Sequence, residues 1–324
     1  MAFLQGVKLV FALLALATPS WAVGVAPGQI KNFVTFGDSY TDSSYYPTAD
    51  GGYAWPTWAA MYGDLNLYGF ARSGCNMLEP AYLQTLPSDH GDRLGWQIPA
   101  YLNETNNGTL ELNPDETIYT IWIGTNDLGA NALITGSDAP TTSIVEVRQC
   151  AIDVLKTLYE SGARNFIMQN ILPLDLTILY SNYSYPNTYW NMERNTTGWN
   201  VYMTELVRAG NEITSLMLDA LVPTLPDAHI ASFDSYGLFT DMYNNPENYF
   251  NGTAPYNVTG CIHSCVYTVD STAEPACTIT NGTDADSFLW YDELHPSQQS
   301  DRIVAREITA VMQGEYNQWT TWLS

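Results

Sequence analysis

Phe33-Val34-Thr35-Phe36-Gly37-Asp38-Ser39-Tyr40-Thr41-Asp42 begins as an apolar run and breaks at a glycine, an acid and a serine. A short apolar run bounded by turn residues is the pattern of a buried strand. Asn32 to Phe36 is therefore expected to be a strand that delivers Ser39 to its carboxyl end. The same pattern recurs at Asn66 to Ala71, Thr117 to Ile123, Asn165 to Asn170 and His229 to Phe233. Between these runs lie helical periodicities, clearest at Ile144, Val147, Ile152, Val154, Leu155 and Leu158, and at Leu206, Ile213, Leu216, Met217 and Leu221. Strands that alternate with helices build a parallel sheet covered on both faces. The expected fold is a three-layer α/β/α sandwich around a central, mostly parallel five-stranded sheet, in one domain spanning 23–324. A last helix should start at Pro296 and bury Ile303, Val304, Ile308 and Val311. The segment from about 238 to 288, rich in Asn, Pro, Thr and Tyr, reads as a long insertion over one end of the sheet.

Ahead of the first strand, Lys8 precedes an apolar run from Leu9 to Ala17 and small residues up to Ala22. The run is too short for a bilayer span, so 1–22 is expected to be a secretory signal peptide and the rest a secreted protein. Seven Asn-x-Ser/Thr sequons, at Asn103, Asn107, Asn182, Asn195, Asn251, Asn257 and Asn281, fit export as a glycoprotein. The formal charge of −23, or −24 once Lys8 leaves with the leader, repels phosphate backbones and anionic lipid and excludes nucleic acid and membranes as partners. Five cysteines in an exported chain point to disulfide chemistry, with one bridge expected inside 261–277. No zinc pattern accompanies Cys261-Ile262-His263-Ser264-Cys265. No metal or organic cofactor is expected, and the chain is expected to act as a monomer.

In open parallel sheets, ligands bind beyond the carboxyl ends of the strands, where side chains and free backbone donors face a crevice. The first three expected strands end in Gly37-Asp38-Ser39, Arg72-Ser73-Gly74-Cys75-Asn76 and Gly124-Thr125-Asn126-Asp127. A serine hydroxyl needs a base to take its proton, and histidine is suited to that near neutrality. Of the four histidines, His90 lies in a polar loop, His229 opens a strand and His263 sits between cysteines. His295 stands three residues after Asp292, just before the last helix. In a tight turn that spacing lets the carboxylate accept the Nδ1 proton and leaves Nε2 free as base.

No Gly-x-Ser-x-Gly elbow occurs, which separates the chain from ordinary α/β-hydrolases. Gly37-Asp38-Ser39, Gly74, Gly124-Thr125-Asn126-Asp127 and Asp292 with His295 stand in the order of the SGNH, or GDSL, hydrolase superfamily, which the chain resembles across nearly all of 23–324. The resemblance implies a flavodoxin-like fold and a serine esterase. Ser39 would be the nucleophile, His295 the general base and then acid, and Asp292 its orienter. The N–H groups of Ser39 and Gly74 and the amide of Asn126 would form the oxyanion hole, since a tetrahedral oxyanion needs convergent donors. The chain departs from the pattern in reading Gly-Asp-Ser-Tyr where the family has Gly-Asp-Ser-Leu, which changes the wall beside the nucleophile.

Phe33 to Asp42, Asn76-Met77-Leu78-Glu79-Pro80 and Trp290 to Ser297 are most similar to fungal acetylesterases of carbohydrate esterase family 16. That likeness implies deacetylation of plant-cell-wall oligosaccharides such as acetylated xylan fragments. Tyr45, Tyr46, Tyr53, Trp55 and Trp58, clustered after Ser39, are expected to offer faces to a sugar ring, whereas Trp122 reads as core. Three other readings compete: a lipase or phospholipase on longer acyl chains, a glycosidase using some of the 34 acidic residues, and a non-catalytic carbohydrate-binding protein. The intact set Ser39, Asp292 and His295 weighs against the last.

Overall fold

The computed structural model describes residues 24–76, 94–137, 142–269 and 273–324. The leader expected at 1–22, His90 and residues 77–80 lie outside them. The elements in chain order are β1 (Asn32–Gly37), α1 (Trp55–Gly63), β2 (Asn66–Gly69), α2 (Leu94–Asn106), β3 (Thr117–Trp122), α3 (Thr125–Leu128), α4 (Ile144–Glu160), β4 (Asn165–Gln169), α5 (Thr196–Leu221), β5 (His229–Phe233), α6 (Ser235–Asn244), β6 (Asn257–Cys261), β7 (His263–Val266), β8 (Ala276–Ile279), β9 (Phe288–Trp290), α7 (Gln298–Met312) and β10 (Thr320–Trp322).

The main sheet runs β10-β5-β4-β3-β1-β2. All five expected strands form and pair in parallel. The sheet is nevertheless six-stranded, because β10 adds to β5 antiparallel, with Thr321 opposite Ser232. This short strand carries no periodicity of its own, and its pairing comes from docking on an edge. The register sets Gly37 opposite Trp122, so the turns after β1 and β3 open at one level.

Alternation along β1 explains the layers. Phe33 meets Trp55 of α1 at 5.4 Å between ring centroids on one face, and Phe36 meets Tyr101 of α2 at 5.7 Å on the other. Helix α1 packs with α7, and α4 with α5. Ile303, Val304, Ile308 and Val311 of α7 are all buried. Pro296, however, does not begin that helix. Ser297 is the N-cap, its hydroxyl accepting the Ser300 N–H at 3.1 Å, while Pro296 bridges to Trp290. Trp55 is a second correction. It is wholly buried against Phe33 with its indole N–H on Thr41, and offers nothing to a sugar.

Residues 238–244 complete α6. Beyond them, β6 pairs with β9, and β7 with β8 forms a hairpin closed by the Cys265–Cys277 disulfide, inside the expected 261–277 window. Cys261 remains a buried thiol. Among the described residues no helix is long and apolar enough to cross a membrane.

Candidate active site

The chain reverses sharply after β1, and Gly37 permits the reversal. A Cβ there would lie 2.4 Å from the Trp122 carbonyl oxygen. Gln97 of α2 clasps the same glycine, accepting its N–H at 3.0 Å and donating to its carbonyl at 2.7 Å. Ser39 follows, 6% exposed, with Oγ 2.8 Å from His295 Nε2. His295 Nδ1 is 3.1 Å from both oxygens of Asp292. One of those oxygens also accepts the N–H groups of Leu294 and His295, at 2.8 and 2.7 Å, so the turn 292–295 closes on its own carboxylate.

Three side chains of the first motif tie the site together. Asp38 accepts the Tyr40 N–H at 3.2 Å, closing the turn after β1 on its own carboxylate. Asp42 accepts the N–H and hydroxyl of Ser73 at 2.8 and 3.1 Å, holding the loop after β2. Tyr40, where the family pattern has leucine, donates its hydroxyl to the Leu294 carbonyl at 3.0 Å. Its ring packs edge-on against His295 at 5.6 Å. The changed wall thus braces the imidazole.

Gly74 lies in the loop held by Asp42, at φ +75°, a conformation that favours glycine. Asn126 projects from the first turn of α3 and donates one amide hydrogen to the Cys75 carbonyl at 2.8 Å, which fixes its side chain beside that loop. Its other amide hydrogen has no partner among the described residues, nor do the backbone N–H groups of Ser39 and Gly74.

Below α3, the fully buried Arg148 donates to the Ile123 carbonyl at 2.9 Å and to Thr214 at 2.7 Å. Burial pulls its guanidinium down to about 10, against the opposing pull of Asp127. Arg148→Met would remove the cation facing a buried carboxylate. It is expected to cost about 3–5 kcal/mol of unfolding free energy, measured from guanidinium chloride midpoints.

Burial by itself would push His295 down, but Asp292, followed by Asp50 and Asp38, holds it up at about 9. Burial likewise works against the Asp292 charge, yet His295 and the surrounding donors bring that carboxyl below its ordinary value. Burial pushes Asp38 and Asp50 up to about 6 and about 7, against the opposing pull of His295.

The other candidates are dispersed. His229 opens β5, and His263 lies in β7. His263, Cys265 and Cys277 come together as in a metal site, but both sulfurs are spent in the disulfide and supply no thiolate. Asn103, Asn107, Asn182, Asn195, Asn251 and Asn281 are exposed; Asn257 is half-buried and accepts the Gly260 N–H. Tyr45, Tyr46 and Tyr53 are exposed, with the rings of Tyr46 and Tyr53 4.8 Å apart. Tyr45 bonds Ser73 at 2.9 Å, next to Gly74, and the Tyr53 N–H bonds Gln298 at 3.0 Å, three residues past His295. Sequence reading passed over Tyr189, whose hydroxyl is 2.5 Å from Asp292 Oδ2 and 2.9 Å from His295 Nδ1. Nothing in Asn187-Thr188-Tyr189 marks it as part of this site.

The profile of a family described as GDSL-like lipase/acylhydrolase matches residues 33–308. The chain is similar to an acetylesterase of Hypocrea jecorina, 29% identical over 91% of this chain and 92% of that protein. It is also similar to an acetylesterase of Thermothelomyces thermophilus, 24% identical over 88% and 89%. Among solved structures it is similar to a variant of an acetyl xylan esterase from Geobacillus stearothermophilus, 13% identical, with a TM-score of 0.44, over 91% of this chain and 99% of that one.

Proposed function

The chain belongs to the GDSL-like lipase/acylhydrolase family, and from that premise we propose that it is a secreted acetylesterase working through Ser39, His295 and Asp292. Family membership makes it an ester hydrolase. The observation that carries the finer reading is the 2.8 Å contact between Ser39 Oγ and His295 Nε2, with Asp292 behind the imidazole.

In this reading Ser39 Oγ attacks the ester carbonyl as its proton passes to His295 Nε2. The developing oxyanion takes hydrogen bonds from the N–H groups of Ser39 and Gly74 and from the Asn126 amide. His295 then gives its proton to the departing alkoxide, freeing the alcohol and leaving acyl-Ser39. Water, deprotonated by the same nitrogen, attacks the acyl carbonyl, and Ser39 leaves with the proton restored. No cofactor enters these steps.

The acetylesterase relatives support an acetyl group as the acyl part. The exposed Tyr45, Tyr46 and Tyr53, tied to segments that carry Gly74 and follow His295, support a sugar as the alcohol part, since their faces suit pyranose rings. Acetylated oligosaccharides of plant cell walls, xylan fragments included, are thus the proposed substrates. Export is supported by the leader expected at 1–22, the disulfide and the exposed sequons. A series of aryl esters tests the acyl preference. We expect kcat/KM to be highest for acetyl and to fall at least about tenfold by butyryl, since misfit of each methylene is worth roughly 1–3 kcal/mol. A rate that rises with chain length would replace acetylesterase by lipase.

A further inference from the structure

We propose that Tyr189 is a positioning residue that shares the Nδ1 proton of His295 with Asp292. The inference rests on the assignment of Ser39 and His295 above and adds a fourth member to their network.

The distances carry it. Both Asp292 oxygens are 3.1 Å from Nδ1, longer than the usual 2.7–2.9 Å of a charge-assisted bond, whereas the Tyr189 oxygen is at 2.9 Å. The phenol has one proton, and its 2.5 Å contact to Asp292 Oδ2 accounts for it. Burial and the adjacent carboxylate hold the ionisation of Tyr189 far above its ordinary range, so this proton stays in place. The lone pairs left on the phenol oxygen can only accept, and the donor facing them is Nδ1–H. A tautomer with a bare Nδ1 would force the hydroxyl to abandon Asp292. Tyr189 therefore selects the imidazole form in which Nε2 is free to take the serine proton.

Its position is built in. Asn187, fully buried, accepts the N–H groups of Tyr189 and Trp190 at 3.1 and 3.2 Å and donates to the Tyr185 carbonyl at 2.9 Å. Arg194 clamps the same turn through the carbonyls of Tyr185 and Trp190, at 2.9 and 3.2 Å. From the disulfide hairpin side, Tyr267 N–H reaches the Pro186 carbonyl at 2.9 Å. The phenol is thus delivered by a pinned turn.

A second acceptor for Nδ1–H predicts a specific non-additivity. Tyr189→Phe is expected to lower kcat on an acetyl ester about tenfold, with KM and the thermal midpoint unchanged. The phenol accepts from Nδ1–H only while Asp292 takes its own proton, so Asp292→Ala frees the hydroxyl to donate to Nδ1 and should lower kcat roughly 10⁴-fold, the loss seen when the wrong tautomer is imposed. Adding Tyr189→Phe to Asp292→Ala should then cost nothing further, less than it costs alone. Unchanged kcat for Tyr189→Phe alone would overturn the proposal, as would a loss confined to KM or a further tenfold loss in the double variant. Where Asp292→Ala fails to fold, the kcat and KM of Tyr189→Phe alone decide the matter. Full activity of Ser39→Ala would sink the underlying esterase assignment instead; a dead Ser39→Ala with a neutral Tyr189→Phe sinks this inference only.

Discussion

Ser39→Ala is expected to lower kcat/KM for an acetyl ester by about 10⁵–10⁶-fold, the scale on which removal of a catalytic serine acts. No neighbour can stand in for it. The Thr41 hydroxyl accepts the Trp55 indole N–H at 3.3 Å. The backbone donors survive the substitution, so residual hydrolysis above the rate in water should remain, together with full substrate binding. Steady-state kinetics beside a thermal melt checks both points: a folded Ser39→Ala variant within about tenfold of the parent would remove Ser39 from the chemistry. Sugar binding by a parent without turnover would favour the carbohydrate-binding alternative.

The second large effect is on pH. His295 must be neutral to accept the serine proton, so kcat/KM should rise with pH and flatten above the imidazole pKa, falling about tenfold per unit below it. Burial works against the cation, but Asp292, Asp50 and Asp38 hold the group up at about 9. Part of that support titrates, since burial places Asp50 at about 7 and Asp38 at about 6. As pH drops they become neutral and release their hold, so the limb should spread over the window from about 6 to about 9. Asp50→Asn, similar in shape and able to keep the contact with Thr48, removes one supporting charge. It should move the upper part of the limb to lower pH and raise kcat/KM at about pH 8, where Asp50 is still charged, by about tenfold for each unit of displacement, and leave the rate at about pH 6 nearly unchanged. A profile unmoved by this substitution would mean that Asp50 does not feel the imidazole.

The pattern of apolar runs and breaks made the parallel sheet readable, because its central strands β1, β3 and β4 are buried on both faces and have little choice of partner. Ser39, Asn126 and His295 were readable because each follows a strand or precedes a helix at a break in pattern. Tyr189 was not. It lies about 100 positions before Asp292, in a loop with no periodicity, and only the folded path of Tyr185 to Arg194 brings its hydroxyl to the imidazole. Asp42 stood in the first stretch, yet its partner Ser73 belongs to another turn. Trp55 misled for the opposite reason. Adjacency to Ser39 in the chain suggested a substrate wall, but as the first residue of α1 it points at Phe33.

Strand β10 has a consequence for how the protein is made. Thr320 to Trp322 cover the outer rim of β5, and the Trp322 ring packs against Gly24, so a segment translated after the rest of the sheet closes its edge. Until they emerge, the β5 backbone presents unpaired amides and carbonyls on which another nascent copy could add a strand. A chain that stops before Thr320 would carry every group proposed for ester cleavage and still be prone to intermolecular association, so its defect would be in yield rather than in turnover.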